Sequence, residues 1–258
     1  MASADFEQFQ GRILRVDLTR GEVRAERADR EAIRQCLGGA CLGAKLLYDE
    51  VPPGVEWDDP QNRLILATGP LGGTPVPGSG TFTVAAKGPM TGGAGLTQAS
   101  GFFGAYLRHS GCDAVLVQGA APGPTYLYIH DGTAELRDAA ALKGKDTWET
   151  DSLVRQSVGG ERDISVVCIG PAGENRVRFA GVFCDKGHAA AHNGVGAVMG
   201  AKNLKAVAVA AGRVGIPVKD GRRLLELVTE LSGRIKSGTS GVGIDIFNWG
   251  TLNGVLRG

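Results

Sequence analysis

The residues that could do ligand chemistry sit in five glycine-studded segments. They read LGGACLGAKLL (37–47), ATGPLGGTPVPGSGTFTVAAKGPMTG (67–92), SGFFGAYLRHSGCDAVLVQG (100–119), IGPAGENRVRFAGV (169–182) and HNGVGAVMGAKNLKAVAV (192–209). Each sets small residues beside a strand-like apolar run. Glycine adopts positive φ without strain and lets backbone approach a large flat ligand. His188 and His192 stand at i, i+4 within this material, a spacing that allows metal ligation. Hydrogen bonding to a ligand or to backbone is the reading that fits the alanine-rich surroundings better. GPAG (170–173) reads as a tight turn, because the Gly-Lys-Ser/Thr of a phosphate loop is absent. GVGAVMG lacks a GxGxxG followed by an acidic residue about 20 positions on, so it is no dinucleotide fingerprint. Glu174 and Asn175 read as a cap or turn pair, and Trp148 and Trp249 as packing anchors.

The five cysteines, at 36, 41, 112, 168 and 184, form no CxxC pair. An odd, scattered set fits reduced thiols in a cytoplasmic protein, most of them small buried apolar residues. The formal net charge of +1 argues against an electrostatic partnership with nucleic acid or a membrane. No apolar run approaches the ~18 residues of a transmembrane helix. The start, MASADFEQFQGR, shows neither the basic nor the apolar region of a secretory signal.

Elements that could position the segments follow from periodicity. RILRVDL (12–18) and EVRAER (22–27), joined by TRG, read as an opening hairpin. Residues 29–48 carry a helical apolar spacing interrupted by Gly38-Gly39. VPPGVEWDDPQN (51–62) is a proline-punctuated loop. Further strands are expected at 64–68, 81–86, 114–118, 125–130, 134–138, 164–169, 177–183 and 204–210. Helices are expected at 101–109, 146–158 and 219–236. Asp131-Gly132 is the turn of a hairpin returning from TYLYIH. Many short turns between strands predict an α+β fold with mainly antiparallel sheets and a few covering helices, not a doubly wound parallel sheet. PVKD (217–220) marks a boundary, where period-2 patterning gives way to the helical RRLLELVTELSGRIK. Two domains are expected, 1–212 and 213–258. The helix from about 219 should lie apart from the first core, as the start of a helical second domain that is cut short.

In order and spacing these segments resemble the N-terminal domain of the tungsten-dependent aldehyde:ferredoxin oxidoreductase family. The anchors are GRILRVDLTRGEV, LGGACLGAKLL, ATGPLGGTPVP, GPMTG, GFFGAYLRHSGCDAVLVQG, IGPAGENRVRF and GVGAVMGAKNLKAVAV, spanning about Gly11 to Thr251. The resemblance implies a base of two antiparallel sheets on which a bis-pterin cofactor holding tungsten, rarely molybdenum, lies. It implies oxidation of aldehydes to carboxylic acids, with electrons leaving through a [4Fe-4S] cluster to ferredoxin or an iron–sulfur subunit. A homodimer is among the implied assemblies. One branch of the family instead reduces aromatic acyl-CoA thioesters. The cofactor contacts carried over fall on Thr81, Gln98, Ser100, His188, Ala189 and Ala191. The family has arginine where this chain has Thr81, and often where it has His192 and Ala40. Backbone N–H groups in glycine-rich turns can form anion-binding nests for such a cofactor. Cluster cysteines and metal-proximal acidic and histidine residues belong to later domains of the family. This chain has no CxxC-x3-C, so the chain alone is expected to be inactive, an enzyme fragment or a non-catalytic pterin-binding or interaction module.

Overall fold

A computed structural model of the chain describes residues 11–160 and 163–237. Trp249 and the FNWGTLNGVLRG end lie outside the described residues. Twelve strands make two six-stranded sheets. The first contains β1 (Arg12–Asp17), β2 (Glu22–Arg27), β3 (Leu64–Thr68), β4 (Phe82–Lys87), β5 (Ala94–Ala99) and β6 (Ala114–Gln118), in the order β2-β1-β6-β3-β4-β5. The second contains β7 (Thr125–His130), β8 (Thr133–Asp138), β9 (Ile164–Cys168), β10 (Val182–Cys184), β11 (His188–Ala190) and β12 (Leu204–Ala210), in the order β11-β10-β9-β12-β7-β8. All pairings are antiparallel except β1 with β6 and β7 with β12. The sheets are therefore mixed, each with one parallel pairing, within an α+β fold.

Local chemistry explains the elements. Asp17 Oδ1 accepts from the backbone N–H groups of Thr19 and Arg20 and so closes the first hairpin. Asp131 (φ 48°) and Gly132 (φ 74°) supply the two left-handed residues that a two-residue hairpin turn needs. The helices are α1 (Arg30–Cys36), α2 (Gly39–Glu50), α3 (Phe103–His109), α4 (Thr147–Ser157), α5 (Pro171–Glu174), α6 (Val195–Ala201) and α7 (Gly221–Ser237). Helix α4 opens on a capping box, with Asp146 on the N–H groups of Trp148 and Glu149 and Glu149 reaching back to Asp146 N.

Packing follows from which side of each strand is apolar. Leu14, Leu64, Leu66, Val84 and Val115 of the first sheet face Leu127, Val167, Val207 and Val209 of the second. Phe103 and Leu107 of α3 and Val195, Val198 and Met199 of α6 are part of that same core. The alternate residues Ile13, Ile65, Ala85 and Leu116 pack outward on Leu42, Leu46 and Leu47 of α2. On the second sheet Tyr126, Val166, Ala206 and Ala208 pack with Leu142 and with Val154 of α4. Strands covered on both faces must be apolar at every position, which is why they read as continuous runs.

Three expectations need correction. Residues 177–181 are not strand. Val177 N bonds Ala172 O and Ala180 N bonds Val177 O, so local turns take their N–H groups and the strand begins at Val182. Trp148 is no packing anchor. It is 61% exposed, with the Lys186 ammonium 5.9 Å from its ring centroid. GPAG is part of a single helical turn, α5. No described helix is long and apolar enough to cross a membrane. Helix α7 has no buried residue, while the segment before it is tied to α3 by Val214 N to His109 O (2.9 Å).

The second sheet is joined to the first by a buried lysine. Lys202 Nζ donates to the carbonyls of Asn62 (2.7 Å), Gly119 (3.1 Å) and Pro60 (3.4 Å). Burial, then Arg63, pulls its ammonium down to about 7, against the pull of Asp59 and Asp17. Its charge therefore costs stability in full below pH ~7, and the cost vanishes as pH rises toward the unfolded lysine value of roughly 10.4. Lys202→Met removes this titration. Urea melts should show the unsubstituted chain gaining stability over Lys202→Met between about pH 7 and 10, by at most about 5 kcal/mol. A pH-independent difference would contradict this account.

Candidate functional site

The site begins at the open end of the β4–β5 ladder. Phe82 pairs with Ala99, Thr83 with Gln98 and Val84 with Thr97. Beyond the last pair the chains stay together because both carry glycine. A Cβ on Gly80 would lie 2.8 Å from the Gly101 carbonyl oxygen. Gly101 has φ +109°, and a Cβ there would lie 2.8 Å from Asp185 Oδ2 and 3.3 Å from His188 Cδ2. Segments 78–83, 97–102 and 185–193 thus meet, although about a hundred residues separate the first from the last. Farther along β5, His192 N donates to Thr97 Oγ1 (3.3 Å), and a Cβ on Gly95 would lie 3.0 Å from that of Asn193.

Gln98, Ser100, His188, Ala189 and Ala191 are exposed. Thr81 is half-buried, its hydroxyl donating to Gly78 O at 3.3 Å. The structure brings all six of these sequence-predicted residues to the region where β5 meets the β10–β11 hairpin. Ala40 is near the same ladder, because its neighbour Gly39 (φ +54°) faces Thr83 Oγ1. His188 is on a strand and His192 in a 3-10 turn, so the i, i+4 spacing does not place them on one helical face. Among the described residues no group of three or more His, Cys, Asp or Glu could hold a metal ion.

One residue that sequence reasoning missed holds the region together. Asp185, in the β10–β11 turn with φ 47°, accepts from Arg155 Nη2 (2.7 Å), Ser165 Oγ (2.9 Å) and Val166 N (3.2 Å) through Oδ1. Its Oδ2 accepts from Phe102 N at 2.8 Å. One carboxylate therefore ties α4 and β9 to the Gly101–Phe102 backbone of the other sheet. Burial opposes the charge of Arg155, but hydrogen bonds and charges of Asp151 and Asp185 outweigh it and hold its pKa above the ordinary value. The DKG triplet signals a turn in the sequence. Nothing local signals its reach to Phe102, 83 positions away.

Open backbone flanks the meeting segments. At Gly78 (φ +81°) and Gly187 a Cβ would meet nothing within 4 Å, so bare backbone borders open space. The side chains beside it include the exposed Gln98, Ser100, Phe102, His188, Ala189 and Ala191 and the half-buried Lys186. Among the sequence-predicted contacts only His188 can carry positive charge, and Lys186 stands in the same segment beside Gly187.

Comparison with known proteins is consistent across the same span. The family model for the aldehyde ferredoxin oxidoreductase N-terminal domain matches residues 13–211. The tungsten-containing aldehyde ferredoxin oxidoreductase of Pyrococcus furiosus is 41% identical over 227 residues, which cover 88% of this chain and 37% of that protein. The aliphatic sulfonate oxidoreductase WOR-like subunit of the same organism is 34% identical, covering 94% of this chain and 40% of that one. The solved active site complex BamBC of benzoyl coenzyme A reductase, with 1,5-dienoyl-CoA, superposes with a TM-score of 0.86 at 36% identity. That superposition covers 90% of this chain and 35% of the other. The chain spans about two fifths of the length of these proteins. On the family match and these identities, the chain belongs to the aldehyde ferredoxin oxidoreductase family, and residues 13–211 are its N-terminal domain.

Proposed function

We propose that residues 1–212 form the base that supports a tungsten bis-pterin cofactor, and that 213–258 begin a second, helical domain. The observation that carries the reading is the meeting of Gly80, Gly101 and His188 at one place. A flat cofactor must be supported by several loops at once, and here three distant segments are packed together, with open backbone beside them at Gly78 and Gly187. When bound, the metal supplies two-electron redox chemistry; the protein's part is to bind, orient and tune it. In this chain Gln98 and Ser100 offer amide and hydroxyl groups to the ring edges. Gly78 and Gly187 let backbone come close, and Asp185 fixes the Gly101–Phe102 backbone beneath.

In the complete protein we infer oxidation of aldehydes to carboxylic acids, with a [4Fe-4S] cluster passing electrons to ferredoxin or an iron–sulfur subunit, in the cytoplasm of an anaerobe. The cluster ligands would come from outside this chain. Cys112, Cys168 and Cys184 are buried, and burial pushes their thiols up, to about 11 for Cys112 and about 12 for Cys168, which disfavours the thiolates a cluster needs. A second reading, reduction of an aromatic acyl-CoA, is supported by the 36% identity to the benzoyl coenzyme A reductase complex. Viologen assays with aldehydes and with aromatic acyl-CoA thioesters separate the two.

Three outcomes follow. Residues 1–258 alone, supplied with pterin and tungstate, should give no aldehyde-dependent viologen reduction; turnover above background would overturn the fragment reading. In the product of the native reading frame, Ser100→Trp or Ala191→Trp should cut pterin fluorescence per chain by more than about tenfold with the melting temperature held. Pterin content unchanged in both variants would remove the site assignment. Asp185→Ala leaves Arg155 short of one carboxylate and should lower stability by about 3 kcal/mol in urea titration; a loss under about 0.5 kcal/mol, ordinary for a surface change, would contradict its linking role.

A further inference from the structure

A cavity of about 290 Å³ opens between the start of β7, the end of β9 and the start of β12. Gly200, near the end of α6, borders it, so it adjoins the end of that helix away from the 192–194 turn. Pro122, Pro124, Ile169 and Leu204 give it apolar walls. Lys143, Glu174 and Lys205 supply its charges.

A bulge brings Lys205 there. Leu204 pairs with Thr125 and Ala206 with Tyr126, so β12 carries one extra residue against β7. Leu204 and Val207 face the core shared by the sheets, while Ala206 and Ala208 pack on the other side with Val154 of α4. Strict alternation from Val207 would turn Lys205 into the core; the bulge turns it outward instead. There its side chain, 3% exposed, pairs with Glu174 Oε1 (2.6 Å) and donates to Lys145 O (2.8 Å). Glu174 accepts in turn from Gly144 N, at 2.9 Å through one oxygen and 3.2 Å through the other. The 143–145 turn is thus locked around a buried ion pair. Such a pair adds little net stability compared with an apolar replacement, so stability alone does not account for it.

We propose that this cavity is a binding site for a small aliphatic carboxylate.

Its two lysines against one glutamate leave one excess positive charge on the walls. An ammonium carries three N–H donors. Among the described residues that of Lys205 meets two acceptors, so one donor remains for a ligand oxygen. Lys143, exposed at the mouth, supplies a second charged contact. The four apolar walls suit a hydrocarbon body and give a phosphate or sulfate nothing to bury. At about 290 Å³ the cavity stands at the low end of the ~300–1,000 Å³ of small-molecule sites, so the ligand is small. No wall residue is a candidate cofactor contact, and the inference does not rest on the cofactor reading.

The test is calorimetric titration of the native reading frame's product at neutral pH, with hexanoate, hexan-1-ol and inorganic phosphate as probes. Hexanoate should bind with a Kd of about 1 mM or tighter. Hexan-1-ol keeps the apolar body without the charge, and phosphate the charge without the body; each should bind at least about tenfold more weakly. At Gly123, which borders the cavity, a Cβ would meet nothing within 4 Å, so Gly123→Leu should fill the space with the fold intact. Lys143→Glu reverses the charge at the exposed mouth and reads the site independently. Both variants should weaken hexanoate at least about tenfold with the melting temperature held. No hexanoate binding, equal affinity for hexan-1-ol or phosphate, or hexanoate affinity unchanged in either variant would overturn the proposal.

Discussion

The Asp185 carboxylate is the interaction on which the arrangement of this molecule depends. The two sheets share an apolar core, and apolar contact alone is non-directional. Sheets held only by it could settle in several neighbouring offsets. Asp185 sits at one edge of that core with one oxygen on α4 and β9 and the other on the N–H of Phe102. It also accepts from Ser165 Oγ, which lies wholly buried in the second sheet. A carboxylate with so many directed donors has one favourable position, so it fixes the second sheet relative to the Gly101–Phe102 backbone. The place where the candidate cofactor loops meet is thereby set by a polar contact, while the core supplies the stability.

Glycine does the complementary work. At Gly200 a Cβ would overlap the Gly173 carbonyl oxygen, and at Gly196 that of Gly181. Helix α6 can therefore approach α5 and the loop before β10 only without side chains there. Gly80 and Gly101 repeat the principle at the site. The glycine-rich segments are thus of two kinds: some let backbone pack on backbone, and others, such as Gly78, leave backbone bare to open space. Sequence alone does not separate the two, because both need the same residue.

Much of the fold was legible. Strands covered on both faces, such as Leu64–Thr68 and Ala114–Gln118, announce themselves as unbroken apolar runs. The Gly38-Gly39 interruption marks where α1 gives way to α2. The edge strands Ala94–Ala99 and His188–Ala190 were not legible, because AGLTQA and HAA have little intrinsic preference for strand. Their pairing partners impose it. The apolar alternation of 177–181 misled for the opposite reason: a helical turn and its exit claimed the N–H groups first. At the site, residue positions came from family resemblance and glycine content. The reach of Asp185 to Phe102 came only from the tertiary structure, because the two residues are 83 positions apart.

The central claim is that a tungsten cofactor rests where Gly80, Gly101 and His188 meet. Anomalous scattering at the tungsten L3 edge, from anaerobic crystals of the native reading frame's product, tests it most directly. The account predicts one strong peak above the exposed side chains of Gln98, Ser100 and Ala189, on the open side of the β5 and β10–β11 junction. A tungsten peak at the opposite edge, near β2 and β8, or full occupancy by the cofactor with these loops facing away from it, would contradict the account.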